Sequence, residues 1–198
     1  MMKVERIEYP QTLKENYKAW GKTYKQHLEN NPTSQYFYWH NSYQEIEDAL
    51  FRMTDNHCSF CDIRPLRSAG ATVEHFRPKK KFPLLAYVWA NLFYCCANCQ
   101  KKGSKFDLNC RPLKPDKLNY FFDYYFILIE TAEEIFIRPN PVRLTKDREM
   151  AEMTINCYGL NKYGRPEARK AELEDYNLDI EHGKIKELRN YPFRFLFL

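Results

Sequence analysis

The 198-residue sequence contains no apolar run long enough to span a membrane, and its opening residues, MMKVERIEYP, contain no hydrophobic signal segment. Internal repeats, low-complexity tracts and an evident linker are also missing. We therefore expect a cytoplasmic chain that has no membrane partner and that folds as one domain or as a core with extensions. The apolar fraction of 44% and the aromatic fraction of 16% are typical of a globular protein and exclude a disordered one.

Seven cysteines are present, and four of them form two Cys-x-x-Cys pairs, Cys58 with Cys61 and Cys96 with Cys99. In a reducing compartment such pairs are more often metal ligands than disulfides. Each short turn brings two sulfur atoms to one point, and four thiolates complete the tetrahedral coordination of a zinc ion. The spacing therefore predicts a structural zinc site formed by two knuckles that lie far apart in the sequence.

The stretch between the two knuckles is 34 residues long, which is more than a compact zinc ribbon contains, so an inserted element is expected there. Cys95 is an alternative to Cys96, but only Cys96 has the two-residue spacing to Cys99. His57 lies beside Cys58 and is expected to be a bystander, because four thiolates already fill the tetrahedron. The remaining cysteines are expected to be small buried apolar residues, namely Cys95, Cys110 and Cys157.

Positive charge is concentrated in the same part of the chain. The whole sequence has a net charge of +5, whereas the segment from Glu74 to Lys117 alone contains ten basic and three acidic residues. A local basic stripe of this kind is the electrostatic footprint of a protein that binds a polyanion. The alternative is a solvated lysine-rich loop, but the coincidence with the cysteine framework favours nucleic acid as the partner.

Hydrophobic periodicity predicts helices on both sides of this segment and short strands within and after it. The predicted helices cover residues 12–29, 43–53, 147–158 and 166–188, and a further helix is expected near Gln100 or later. The predicted strands are a short strand over residues 71–76 and a β-hairpin over residues 124–138. The fold class is therefore α+β.

Three segments follow from these elements, and we expect them to form one compact domain. They are an N-terminal helical segment (1–55), a central segment with the knuckles (56–120) and a hairpin with a C-terminal helical extension (121–198). The apolar C-terminal sequence YPFRFLFL and the aromatic run from Tyr36 to Trp39 are expected to pack internally. The alternative is that both are docking surfaces of a subunit in a larger assembly.

The insert between the knuckles contains the sequence TVEHFRP, in which Glu74 precedes His75, and Asn91 follows farther along. A carboxylate beside a histidine is a weak signal by itself, but the basic flank and Asn91 add weight to it. Neighbouring side chains of a strand point to opposite faces, so Glu74 and His75 converge on one phosphate only at a strand end or bend. Arg77 and Pro78 supply such a bend.

The order Cys-x-x-Cys, Glu-His, Asn, Cys-x-x-Cys resembles the HNH endonucleases of the zinc-stapled ββα-metal type. The sequence VEHFRPKKKFPLLAYVWANLFYCCANCQKKGSKF is similar, more closely, to the HNH proteins of the PtuB type, which accompany an ATPase in the Septu and some retron anti-phage systems. The motifs lie within residues 58–106, and the stretches LKPDKLNYFFDYYF and MAEMTINCYGLN extend the likeness towards residue 161. The resemblance implies a ββα-metal core with a four-cysteine zinc site at the centre of the fold.

The resemblance also implies roles for individual residues in a metal-dependent endonuclease. His75 would be the general base that activates water, and Glu74 would hold a catalytic Mg²⁺ or Mn²⁺ ion, separate from the structural zinc. Asn91 would brace the loop that carries His75 through hydrogen bonds to the backbone. The residues that would bind neighbouring phosphates are Arg77, Lys79, Lys101, Lys102 and Lys105.

Two residues depart from the family pattern. The usual aspartate before the histidine is Glu74 here, which still offers a carboxylate oxygen to the metal. Many zinc-stapled members have an asparagine directly after the last zinc cysteine as the second ligand of the catalytic metal, and this chain has Gln100 there. Gln100 carries the same amide oxygen on a longer arm, and Asn98 or a water molecule are alternatives.

Partners follow from the same resemblance. The substrate would be DNA or RNA such as tRNA, and the chain would act with an ATPase of the PtuA type, in some systems together with a retron reverse transcriptase and its msDNA. An anti-phage effector nuclease is therefore the leading hypothesis. The alternative is a non-catalytic zinc-containing subunit that binds nucleic acid through the same basic stripe.

Overall fold

The computed structural model describes residues 1–64, 70–102, 106–107, 109–118 and 122–198, and these form a mixed α+β fold. The helices are Gln11–Asn30 (α1), Tyr43–Met53 (α2), Ala97–Gln100 (α3), Phe122–Tyr125 (α4), Thr145–Tyr158 (α5) and Arg165–Glu181 (α6). The strands are Thr72–His75 (β1), Leu92–Cys95 (β2), Phe126–Glu130 (β3) and Ile135–Pro139 (β4). Within these ranges, no helix has the length and apolar character needed to cross a membrane.

The long helices and the β3–β4 hairpin lie where the sequence predicts them, but two helix ends differ. α6 ends at Glu181, whereas the prediction extends to Leu188. Gly183 adopts a left-handed conformation (φ +64°), which ends a helix and which glycine adopts without a steric penalty. α3 begins at Ala97, inside the second knuckle, rather than near Gln100.

Strands β1 and β2 form an antiparallel pair at the centre of the chain, and both faces of this pair are covered. Thr72 lies opposite Cys95 and His75 lies opposite Leu92. Because side chains alternate along a strand, one face of the pair is directed at α1 and α2 and the other at the cysteine knuckles. The pair therefore separates two hydrophobic clusters, and it holds Glu74 and His75 between them.

The hydrophobic cluster on the knuckle side of the β1–β2 pair extends into the C-terminal half of the chain. Strands β3 and β4 pair in antiparallel register and pack against α5 and α6. Arg169 of α6 is fully buried there, and its guanidinium donates to the carbonyl oxygen of Ile135 at 2.6 Å and to that of Leu160. These bonds satisfy backbone oxygens that water does not reach.

The apolar C-terminal sequence packs back onto the first knuckle, as expected. Tyr191, Phe193 and Phe195 are buried, and the backbone N–H of Phe193 donates to the carbonyl oxygen of Asp62 at 2.9 Å. The guanidinium of Arg194 forms a bidentate ion pair with the carboxylate of Asp62, with Nη2 at 2.6 Å from Oδ1 and Nε at 3.1 Å from Oδ2. The end of the chain is thereby attached to the residue that follows Cys61.

This ion pair predicts a large loss of stability in Arg194→Ala. The side chain of Asp62 is only 1% exposed, so the variant leaves a buried carboxylate without its partner. Removing one partner of a buried pair costs about 3 kcal/mol in the free energy of unfolding. Urea denaturation of the zinc-loaded protein measures this loss. Arg189→Ala, which removes an exposed arginine paired with Glu187, is the control and should change the value by less than about 1 kcal/mol. Equal losses in the two variants would contradict the prediction.

Candidate functional site

The four cysteines of the two Cys-x-x-Cys pairs form one buried cluster. The sulfur atoms of Cys58, Cys61, Cys96 and Cys99 all lie within 4.8 Å of one another, and those of Cys61 and Cys96 are 3.7 Å apart. A tetrahedral ion with Zn–S bonds of about 2.3 Å places its sulfur ligands about 3.8 Å apart. The chemistry and the spacing of the donors therefore fit a zinc ion.

Local structure brings these thiols together. Cys58 and Cys61 lie in the loop that follows α2, and the N–H of Asp62 donates to the carbonyl oxygen of Cys58 at 2.9 Å, which closes the first knuckle. Cys96 directly precedes α3 and Cys99 lies within it, so a single helical turn forms the second knuckle. The first knuckle is attached to β2, since the N–H of Ser59 donates to the carbonyl oxygen of Tyr94 at 2.9 Å, and β2 leads directly into the second knuckle.

Arg165 is a charged neighbour of the cluster, and the sequence did not predict this contact. Its Nη2 donates to the sulfur atoms of Cys99 and Cys96 at 3.2 and 3.5 Å, and its Nη1 donates to the carbonyl oxygens of Tyr158 and Gly159. Burial alone would lower the pKa of Arg165, but the neighbouring cysteines raise it. A zinc ion with four thiolates has a net negative charge, which this guanidinium partly offsets. No local motif around Arg165 signals the contact, because 66 residues separate it from Cys99.

Glu74 lies on the face of β1 that is directed at the knuckles, and a lysine occupies its immediate surroundings. The ammonium of Lys102 forms an ion pair with Glu74 Oε1 and also donates to the carbonyl oxygen of His75 at 2.9 Å. Burial raises the pKa of Glu74, and the positive charges of Lys102 and Lys79 oppose that shift. Lys102 was expected to bind phosphate at the surface. Instead the residue is only 3% exposed, and its ammonium lies against the buried carboxylate of Glu74 and compensates its charge.

His75 points to the opposite face of β1, where aromatic rings enclose it. Its Nε2 lies 2.9 Å from the carbonyl oxygen of Ala86, which requires a proton on Nε2 and leaves the lone pair on Nδ1. Burial and, to a smaller extent, the charge of Lys79 together lower the pKa of His75 to about 3. The imidazole is therefore neutral at cellular pH.

The aromatic enclosure of His75 comes from the segment between α1 and α2. The ring of Trp39 stacks on His75 at a centroid distance of 5.5 Å, and the ring of Phe37 meets it edge-on at 5.3 Å. Lys79 Nζ lies 5.1 Å from the centre of the Phe37 ring. His75 is only 5% exposed as a result, so these two aromatic residues, here called the aromatic cover, limit access to it.

Asn91 fixes the bend that follows β1. Its Oδ1 accepts a hydrogen bond from the N–H of Arg77 at 2.8 Å, and its Nδ2 donates to the carbonyl oxygens of Arg77 and Leu85 at 3.1 and 3.0 Å. The N–H of Phe76 donates to the carbonyl oxygen of Asn91 at 2.9 Å. These bonds determine where the chain turns immediately after His75.

The amides proposed as second metal ligands have other partners. Gln100 Nε2 donates to Thr72 Oγ1 at 3.3 Å, and Asn98 Oδ1 accepts from Lys101 Nζ at 2.9 Å. Among the described residues, the four cysteines are the only group of three or more His, Cys, Asp or Glu side chains with metal-ligand spacing. Glu74 therefore offers a single carboxylate, and a divalent cation would need further ligands from substrate and water. Lys105, expected to bind phosphate, lies outside the described residues.

No family model matches the chain, and no curated protein matches it. The case for a function therefore depends on geometry. That geometry combines a four-thiol cluster, a neutral buried imidazole, a carboxylate paired with an ammonium, and an asparagine that fixes the intervening bend.

The cluster predicts which cysteine is required for zinc. Cys96→Ser should lose most bound zinc, because it removes one of four ligands, whereas wild-type protein should contain about one zinc ion per chain. Cys95→Ser is a matched control, since Cys95 is the adjacent cysteine and is also buried but does not belong to the cluster. Metal analysis after gel filtration measures both variants. Loss of zinc from the Cys95 variant with retention of zinc by the Cys96 variant would show that Cys95, and not Cys96, is the ligand.

Proposed function

We propose that this chain is a metal-dependent endonuclease of the HNH type that hydrolyses phosphodiester bonds in nucleic acid. The observation that carries the proposal is the state of His75. Its Nε2 hydrogen is held by a backbone carbonyl, while Nδ1 has no hydrogen-bond partner within the described residues. The lone pair on Nδ1 is the acceptor that a general base needs, and opening of the aromatic cover on substrate binding would remove the burial that lowers the pKa of His75 and so restore its basicity.

The neighbours of His75 support the same role. Asn91 fixes the bend after β1, which restricts the position of His75 relative to a phosphate. Glu74, directly before it in the chain, carries the carboxylate that would hold Mg²⁺ or Mn²⁺. Because β1 directs Glu74 and His75 to opposite faces, the end of the strand would have to bend for both to reach one phosphate. These divalent cations bind through one or two carboxylates together with substrate phosphate oxygens and water. When bound, the cation would stabilise negative charge on the phosphate.

Lys102 competes with that cation for Glu74. In the absence of a divalent ion, its ammonium neutralises the carboxylate in a nearly dry environment, where an unpaired charge is unfavourable. Once a cation takes the carboxylate, the freed ammonium can contact a phosphate of the substrate. In this proposal Lys102 therefore has a different partner before and after substrate binding.

The likeness of the motif region to PtuB-type proteins extends the proposal to biology. We propose that the chain acts with an ATPase of the PtuA type as the effector of an anti-phage system, in some systems with a retron reverse transcriptase and its msDNA. The substrate is DNA or RNA, since phosphate chemistry alone does not distinguish them.

One observation favours the alternative of a non-catalytic nucleic-acid-binding subunit. His75 is enclosed by the aromatic cover and Glu74 is already paired with Lys102, so neither group faces solvent. A nuclease must open this enclosure to admit a phosphate, whereas a binding subunit needs no such opening. Activity of a histidine variant separates the two functions.

His75→Ala should reduce Mg²⁺- or Mn²⁺-dependent cleavage of DNA or tRNA by about a hundredfold or more, because it removes the general base. The variant should retain zinc and bind nucleic acid, which distinguishes loss of chemistry from loss of folding. His182→Ala, which changes an exposed histidine in the loop after α6, is the control and should cleave normally. Undiminished cleavage by the His75 variant would reject the mechanism, and no cleavage by wild-type protein with any cation or substrate would favour the binding subunit.

Lys102→Met should increase the stabilisation that Mg²⁺ gives to the folded protein, because it removes the competitor for Glu74. We expect a larger rise in melting temperature on adding Mg²⁺ than in wild type, since a ligand stabilises only through its affinity for the folded state. Lys101→Met, which changes an exposed lysine on the same turn, is the control. A shift no larger than that of wild type would show that Lys102 does not exclude the cation.

A further inference from the structure

A cavity adjoins the bend that Asn91 fixes. It has a volume of about 540 Å³, and Arg77 and Asn91 are among the residues that line it. Arg77 is two residues beyond His75, so the cavity lies beside the candidate catalytic strand rather than within it. Ligand sites of drug-sized molecules have volumes of about 300–1,000 Å³, so the cavity is large enough for one nucleotide.

The rim of this cavity is positively charged. Arg77, Arg111, Lys114 and Lys117 line it, and none of its lining residues in the described ranges is acidic. Lys114 is compensated by Asp116, with its Nζ 3.3 Å from Oδ1. The other three have no ion-pair partner within the part of the chain that the structure describes. Three uncompensated cations around one opening favour an anionic ligand.

The cavity also has an apolar part, here called its floor. The buried lining residues Phe76, Leu113 and Leu118 form it, whereas Arg111 and Lys117 are exposed and lie at the rim. Unpaired bases of single-stranded nucleic acid pack against aromatic and apolar side chains while their phosphates meet Arg and Lys. A cavity with an apolar floor and a cationic rim matches both parts of a nucleotide, whereas a free inorganic anion would leave the floor unfilled.

We propose that this cavity, here called the Arg77 pocket, binds one unpaired nucleotide of the substrate strand, with its base on the floor and its phosphate at the rim. The proposal rests on the proposed function, because it takes the bound strand to be the substrate. The pocket would hold a nucleotide next to the one whose phosphate reaches His75. It thus selects substrates that are single-stranded, or that can be unpaired, near the cleavage position.

Binding measured without cleavage tests the proposal. The probe is a fluorescein-labelled single-stranded oligonucleotide of about 12 nucleotides, made as DNA and as RNA, and titrated by anisotropy without added divalent cation. The variant is the double substitution Arg111→Ala and Lys117→Ala, which changes two exposed residues of the rim. The control is Lys14→Ala with Lys22→Ala, which removes the same charge from the exposed face of α1.

We expect the pocket variant to lose about tenfold in affinity and the control to stay within about twofold of wild type, since only the former loses phosphate contacts. The slope of log affinity against log salt should become shallower by about 1.4 in the pocket variant, because each phosphate contact on a single strand contributes about 0.7. Equal losses in the two variants would overturn the pocket and leave only diffuse electrostatic attraction.

Competition identifies the part played by the floor. Adenosine monophosphate should displace the oligonucleotide from wild-type protein at a lower concentration than inorganic phosphate does, and this difference should shrink in the pocket variant. Equal competition by the two compounds would overturn the nucleotide assignment. Failure here is separable from failure of the proposed function. Equal binding losses in the two variants together with His75-dependent cleavage by the wild-type protein would reject the pocket alone, whereas a pocket-specific loss of binding in a protein that cleaves nothing would reject the nuclease alone.

Discussion

The four-thiol cluster is the constraint on which the rest of the structure depends. It ties the loop after α2 to the turn after β2, and those two segments frame the strand pair that carries Glu74 and His75. Four buried thiolates close together are unfavourable without a cation to bind them, so binding of a metal in this form and folding are coupled. Arg165 belongs to the same constraint, because it connects the sulfur atoms to the start of α6. The C-terminal half is thereby attached to the metal site through charge as well as through packing.

Two adjacent residues of β1 show how a strand creates different environments from neighbouring positions. Alternation sends Glu74 towards the knuckles, where Lys102 meets it, and His75 towards the aromatic cover. Burial acts on both groups, and in each case it favours the neutral form. The carboxylate remains paired with an ammonium, whereas no acidic group among the described residues raises the pKa of the imidazole, which remains uncharged. The chemical difference between the two residues therefore comes from the faces to which they point.

Much of the fold could be predicted from the sequence, and the reasons for success and failure are physical. Periodicity located α1, α2, α5 and the β3–β4 hairpin, because each has one buried face. Spacing predicted the zinc cluster, since two residues between cysteines are what a knuckle requires. The end of α6 was wrong, because a single left-handed glycine overrides the helical pattern beyond it.

The candidate site was harder to predict because its long-range contacts leave no local pattern. Lys102 resembles its lysine neighbours in the sequence, and only the tertiary fold shows that it is buried against Glu74. The aromatic cover was expected to pack internally, but nothing in Phe37 or Trp39 indicates that a histidine of β1 is its target. Arg165 is likewise ordinary in its local context. Sequence spacing encodes sites whose ligands are close in the chain, and it does not encode the charges that the fold later brings to them.

The attachment of the C-terminal segment to Asp62 has a thermodynamic consequence. Asp62 accepts a hydrogen bond from the N–H of Phe193 and forms an ion pair with Arg194, and it directly follows the zinc-site residue Cys61. The tail is therefore held one residue away from a sulfur ligand. If docking of the tail and binding of zinc stabilise the same conformation of the first knuckle, each raises the affinity for the other by the same factor. The last residues of the chain are in this sense part of the metal site, although the four ligands lie elsewhere.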